Sequence, residues 1–269
     1  MDGDFMGRSM AMSMGFRMQF IALAAWLCLG GCESGTEGRA IHFDLAIGSV
    51  AEEGAPGPGV FETATGWRVV LDEARIALGP VYLYADSLSL VRGLERILVP
   101  VARAHGGTDP YAARVVRGEM LDVVVLDALS RERVIFRALP GRAGRVESVR
   151  VDLAGLASDG AAALRGHDAW VRGIATRGDE TVSFEGGLDI PEDGLTANVE
   201  GIPCEGFLDE GATVTLDVRL RAWFDAADFT RLPPANTEGV RVISPDSQVR
   251  NAWYLGARSL GAFDAARMP

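Results

Sequence analysis

The sequence predicts a mainly β protein, an antiparallel β-sandwich-like domain with a few short helices. Two observations carry this. Short segments with period-two apolar alternation recur between residues 41 and 220, divided by turn residues at regular spacing. Strands alternating with long amphipathic helices, the mark of an α/β chain, are not seen.

Residues 41–47 (IHFDLAI) alternate apolar and polar, the period of a half-buried strand. Residues 52–59 (EEGAPGPG) can only be loop. In 66–79 (GWRVVLDEARIALG), Trp67, Val69 and Leu71, then Ala74, Ile76 and Leu78, keep period two on either side of one skipped place. That skip, near Asp72 and Glu73, predicts a β-bulge. Residues 80–84 (PVYLY) continue as an aromatic-rich strand. Residues 88–101 are apolar at mixed spacing and read as a short helix or a strand pair, followed by a loop at 106–110.

Beyond it, 120–126 (MLDVVVL) is apolar enough for a central strand. Further strands are predicted at 133–137, 146–153, 169–175, 181–184, 195–199 and 212–220, with turns at 140–144, 177–179, 191–194 and 209–211. Residues 201–206 (GIPCEG) read as a loop or strand edge. Short helices are predicted at 156–164 and 222–229, the second stopped by Pro233 and Pro234. Val249, Ala252, Trp253, Gly256, Leu260 and Phe263 have helical spacing near the end.

The amino terminus carries an address. A start with Arg8 and Arg17 leads into the apolar run 20–29, and small residues follow. That is the layout of a secretory signal, and the run is shorter than the ~20 residues of a spanning helix. Leu29, Gly30, Gly31 and Cys32 resemble the lipobox of bacterial lipoproteins. The resemblance implies cleavage before Cys32 and a diacylglycerol on its thiol. By the same family rule, Glu33 favours the outer membrane over inner-membrane retention. The organisation that follows is a signal peptide (1–31), a polar, Gly-rich lipidated tether (32–40) and a β-sandwich-like domain (41–269). One acyl chain holds a protein weakly and several hold it firmly, so a mature lipoprotein is stably anchored.

The net charge is −11, every basic residue is arginine, and the leader's two acids and two arginines cancel. Such a balance argues against nucleic acid as a partner and against direct electrostatic docking on anionic lipid. Cys28 leaves with the signal and Cys32 takes lipid, so Cys204 is the last cysteine and no intrachain disulfide can form. A buried, inert thiol is the expected state. His42, His105, His167 and Cys204 are the nitrogen and sulfur donors available for zinc or copper. No two histidines have helical i,i+4 spacing, and the bland reading is scattered, separately hydrogen-bonded imidazoles. His167 is notable for its neighbours Asp168 and Trp170. The many carboxylates lie mostly near turns and select no acid–base pair or calcium loop. No nucleophile elbow, P-loop or dinucleotide fingerprint occurs, so no catalytic residue and no cofactor is assigned. Trp67, Tyr82, Tyr84, Trp170, Trp223, Phe224, Phe229, Trp253 and Tyr254 read as core rather than as a sugar-stacking platform.

Residues 66–84 and 223–229 resemble parts of uncharacterised β-rich lipoproteins of proteobacteria. The resemblance covers a minority of the chain; such relatives carry extra histidines in the region of 101–111, where this sequence keeps only His105, so the resemblance implies a metal site that is depleted or absent here. A second, distant similarity is to small periplasmic β-sandwich proteins of copper handling.

The functional expectation is a lipoprotein on the periplasmic face of the outer membrane. It would act as a non-enzymatic accessory for a small ligand, cation or envelope protein. The alternatives are a hydrolase of envelope polymers or sugars, and a copper or zinc carrier.

Overall fold

Strand β1 (Ala40–Ser49) follows the alternation of its sequence: Ile41, Phe43, Leu45 and Ile47 are buried, His42 is exposed and Asp44 half-buried. A computed structural model describes residues 38–85, 115–153, 162–191 and 197–268. The signal peptide, Cys32, residues 88–101, His105 and most of the helix expected at 156–164 lie outside the described residues.

The fold is mainly β, and among the described residues two sheets enclose a main core, with a small second cluster at Ala77, Leu164 and Trp170. The first sheet has eight strands, in the order β11 (Asn198–Leu208), β8 (Gly144–Asp152), β4 (Val81–Ala85), β5 (Val115–Met120), β7 (Val134–Arg142), β1, β12 (Thr213–Val218) and β14 (Phe263–Met268). Its two outer strands, β11 and β14, lie beside each other, so this sheet curls into a barrel-like form. Gly206 permits that approach: a Cβ there would sit 2.9 Å from the Cβ of Arg267. The second sheet runs β13 (Arg241–Val242), β10 (Glu180–Leu188), β9 (Ala169–Arg177), β3 (Arg68–Leu78) and β2 (Val60–Glu62), and β6 (Val124–Asp127) pairs with the far half of β3. Pairing among the described residues is antiparallel, except that β1 with β12 and β10 with β13 are parallel. The antiparallel expectation therefore holds for most of the sheet and not for those two pairs.

The skipped place in β3 is a bulge. Register with β9 shifts between Leu71 and Glu73, so Val69, Leu71, Ala74 and Ile76 all face the core. At Gly79–Pro80 the chain passes from the second sheet to the first, because β3 belongs to one and β4 to the other. Gly79 has φ +120, and a side chain there would run into the Asp122 carbonyl.

Several segments differ from their sequence reading. Residues 120–126 are not one central strand. Met120 ends β5 in the first sheet, Val124 opens β6 in the second, and the segment between them crosses the gap. The expected turn at 140–144 is mostly strand: Pro140 and Gly141 stay in β7, and the chain breaks only at Ala143. Proline is tolerated because β7 pairs with β5 only where Gly118 faces Gly141. Of the two readings of 201–206, loop or strand edge, the second holds: they lie inside an outer strand that carries two register shifts. Phe263, read as helical, begins strand β14.

Helix α1 (Leu220–Phe224) and helix α2 (Gln248–Ala257) pack on each other. At their crossing Gly256 lies against the Ala222 carbonyl, where no side chain fits. The Ser247 hydroxyl caps α2 by accepting from Arg250 N at 3.1 Å. Around them Trp67, Phe184, Trp223, Phe224, Phe229 and Trp253 form a buried aromatic cluster, with Phe184 and Phe229 centroids 4.7 Å apart. Most of the aromatics read as core are therefore core. Trp170 is buried in a second, smaller cluster with Ala77 and Leu164, whereas Tyr82 is only half-buried. Among the described residues no helix is long and apolar enough to cross a membrane.

Candidate functional site

Strand β1 ends at Ser49, where the Glu- and Pro/Gly-rich loop begins. Gly54, at φ +77, turns the loop, and Ala55 N donates to the Glu52 carbonyl at 2.9 Å. Arg131 donates to the Pro56 carbonyl, and Leu71 N donates to the Gly59 carbonyl at 2.9 Å. Gly59 sits where a Cβ would meet Leu129, so the loop is pressed onto the end of the second sheet.

Between this loop, β2 and α1 lies a cleft of about 620 Å³, lined by Glu52, Glu53, Phe61, Glu62, Arg68 and Arg221 among others. That size falls in the range of small-molecule sites. A second hollow of about 210 Å³ adjoins it, lined by Arg219, Asp225 and Gly261. Glu52 and Arg221 border both hollows. They form the partition: Arg221 Nη1 meets Glu52 Oε2 at 3.4 Å, and Arg221 Nε meets Asp225 Oδ1 at 3.4 Å. Asp225 Oδ1 also accepts from Ala64 N at 2.8 Å. The hydrogen bond to Asp225, followed by that to Glu52, holds the Arg221 guanidinium charged, above its ordinary pKa.

Glu53, Glu62 and Arg68 are exposed and form no ion pair among the described residues. The cleft therefore offers the exposed carboxylate of Glu53 and, opposite each other across β2 and β3, the carboxylate of Glu62 and the guanidinium of Arg68, beside Val60 and Phe61. This arrangement can hold a small molecule that carries an amine, with room for an anionic group at Arg68.

The residues singled out in the sequence lie elsewhere. His42 stands on β1 with its backbone N–H on Glu210 Oε2 at 3.1 Å and its Nδ1 3.6 Å from Glu210 Oε1. His167 lies on the outer face of the second sheet, flat against Gly187, where no Cβ would fit. Its Nδ1 is 2.9 Å from Asp189 Oδ1, and its ring stacks 5.7 Å from Trp170. Arg165, at φ +53, lays its guanidinium 4.2 Å over the same indole and pairs with Glu73 at 3.1 Å. Asp168 accepts from Ile190 N at 2.7 Å. Cys204 is buried in β11, and burial pushes its thiol up to about 11. His42, His167 and Cys204 thus sit on three separate elements. Among the described residues no group of three His, Cys, Asp or Glu side chains could hold a metal ion.

Of the cleft, the loop was legible in the sequence, since 52–59 can adopt no regular structure. Its partners were not. Arg68 and Arg221 lie in unremarkable strand and helix segments, and only the tertiary fold brings them to Glu52. Comparison with known proteins gives no match to a family model, a curated protein or a solved structure.

Proposed function

We propose that this chain is a lipid-anchored envelope protein, held through Cys32 at the periplasmic face of the outer membrane. It acts without catalysis as a binding accessory, and the cleft beside Glu53 and Glu62 is its ligand site. One observation supports this reading above others. The chain enters the barrel-like sheet at Arg39 and Ala40, and the loop leaving the other end of β1 forms the cleft wall. Ten strand residues separate them, roughly 30 Å at strand rise. An anchor attached at the near end leaves the cleft open on the far side, toward the periplasmic space.

The ligand class follows from the lining. Glu53 and Glu62 attract an ammonium group, Arg68 attracts a carboxylate or phosphate, and Val60 and Phe61 take an apolar portion. A small amine-bearing envelope component, neutral or zwitterionic overall, satisfies all three.

The test is calorimetric titration of the purified protein with glucosamine, a zwitterionic dipeptide and uncharged glucose. The amine-bearing probes should bind and glucose should not, and Glu53→Gln with Glu62→Gln should weaken binding about tenfold or more, the worth of one or two charge-assisted contacts. Binding of none of the probes, or equal binding by the double variant, would remove the cleft from this role.

A further inference from the structure

The barrel end through which the chain enters gathers an unusual set of side chains. Arg39 N-terminal to β1, the corner from Arg142 to Arg145, the turn from Asp209 to Gly211 and the last residue of β14 all meet there. Ala143 N donates to the Arg39 carbonyl at 2.8 Å, Gly211 N to the His42 carbonyl at 2.8 Å, and Met268 pairs with Thr213. Strands β11 and β14 both run toward this end, and Gly206 faces Arg267 across their junction. The next residues on the two strands, Phe207 and Met268, are therefore neighbours. Both are exposed, Phe207 by 58% and Met268 by 44%. An exposed phenylalanine beside an exposed methionine makes a small apolar patch at this strand junction.

The charge at this end differs from that of the rest. Arg39, Arg117, Arg142, Arg145 and Arg267 stand near Glu147, Glu205, Asp209 and Glu210. The two signs nearly balance there, whereas the whole chain carries −11. Arg145 pairs with Glu147 at 3.2 Å and Arg267 with Asp209 at 3.1 Å. Arg117 lies over Gly144, and its buried Nε and Nη1 have no hydrogen-bond partner among the described residues.

We infer that this end is a membrane-docking face. Phe207 and Met268 insert at the level of the lipid headgroups, and Arg39, which is exposed and forms no ion pair among the described residues, meets lipid phosphate. The inference rests on the proposed anchor at Cys32. Arg39 is seven positions after Cys32, a reach of at most about 25 Å when fully extended. A tether that short keeps this barrel end nearest to the bilayer surface. Tethering raises the effective concentration of the lipid surface enormously, so two shallow apolar contacts suffice to hold an orientation that they could not produce alone. Near-neutral charge removes the repulsion that a surface of the chain's average acidity would meet at anionic lipid. Docked in this way, the domain stands upright with its cleft outward.

The test uses the full acylated chain purified from membranes and placed in vesicles of phosphatidylethanolamine and phosphatidylglycerol. An environment-sensitive fluorophore is attached at Phe207→Cys, at Met268→Cys, or at Leu255→Cys on helix α2. Leu255 is also exposed, and it lies near the other end of the barrel. Cys204 is buried and protonated, so it escapes labelling. The probes at 207 and 268 should lose accessibility to aqueous iodide several-fold on vesicles and be quenched by brominated lipid, while the probe at 255 should not change. Equal iodide access at all three sites, or protection at 255 instead, overturns the docking face. The mass of the amino-terminal peptide separates the two readings. An unacylated Cys32 overturns the anchor and this inference together, whereas an acylated Cys32 with exposed probes overturns the docking face alone.

Discussion

The ring of Phe43 occupies the space that a side chain at Gly118 would need: a Cβ at Gly118 would lie 2.6 Å from Phe43 Cε1. Gly141, the cross-strand partner of Gly118, brings its own missing Cβ to 3.0 Å from the same ring. Two glycines on adjacent strands thus make the seat for one phenylalanine at the single point where β5 and β7 pair. A glycine pair is a weak place in a sheet, and an aromatic ring laid over it restores the lost packing.

The relationship predicts strong coupling. Gly118→Ala should destabilise by about 1–3 kcal/mol through overpacking, and Phe43→Ala by about 3–5 kcal/mol through the cavity it leaves. In the double variant the new methyl group enters the space vacated by the ring. The combined loss in urea denaturation should therefore fall short of the sum by about 1 kcal/mol or more. Strict additivity would mean that the ring and the glycine do not share that space.

The partition of the cleft predicts a local effect. Arg221 is the link between the loop and α1, through Glu52 and Asp225. All three side chains are partly exposed, so global stability should change by less than about 1 kcal/mol in Arg221→Ala. The loop, however, loses a tie. A glutamate-specific protease should cut after Glu52 or Glu53 several-fold faster in the variant, with the melting temperature almost unchanged. Unchanged cleavage would show that the backbone hydrogen bonds at Ala55 and Gly59 hold the loop alone.

The anchor predicts a change of address. Cys32→Ala removes the thiol on which a thioether to diacylglycerol would form, and the resemblance to the lipobox rests on that residue. The variant should leave the membrane fraction, and the amino-terminal peptide should lose its acyl mass. Unmodified Cys32 in protein taken from native membranes would remove the anchor from the account.

How much of this was legible in advance depends on whether the deciding contact is local. The alternation of β1 and the bulge at Asp72 are local, since period two and its interruption follow from which side of a strand each residue faces. The break at Leu121–Val123 was hidden because an apolar run reads alike whether it crosses between two sheets or fills one. Pro140 and Gly141 carry turn chemistry yet lie in a strand, because sparse pairing on that side of β7 makes few demands on their backbone. At the site level, the neighbours of His167 in sequence pointed to its outer-face cluster, but Asp189 and Gly187 arrive from the next strand and its exit. Arg221 and Glu52 are 169 residues apart, and no spacing rule links them.

The last prediction concerns Cys204. Its side chain is 2% exposed in the barrel-like sheet, and burial raises its pKa from an ordinary 9.0 to about 11. In the folded chain the thiol keeps its proton through a range in which the unfolded chain has lost it. Between pH 9 and 11 the folded state therefore binds more protons, and stability falls as pH rises. Below about pH 9 both states are protonated and the thiol contributes no slope; above about 11 both are ionised and the slope vanishes again. The full drop is about 3 kcal/mol for a shift of this size. Other groups also ionise at alkaline pH, so the comparison must be with Cys204→Ala, whose stability should decline less by that amount. The same burial makes the native thiol slow toward a maleimide at pH 8 and fast once urea unfolds the chain. Rapid labelling of native protein, or parallel pH profiles for the two chains, would show that the thiol reaches solvent.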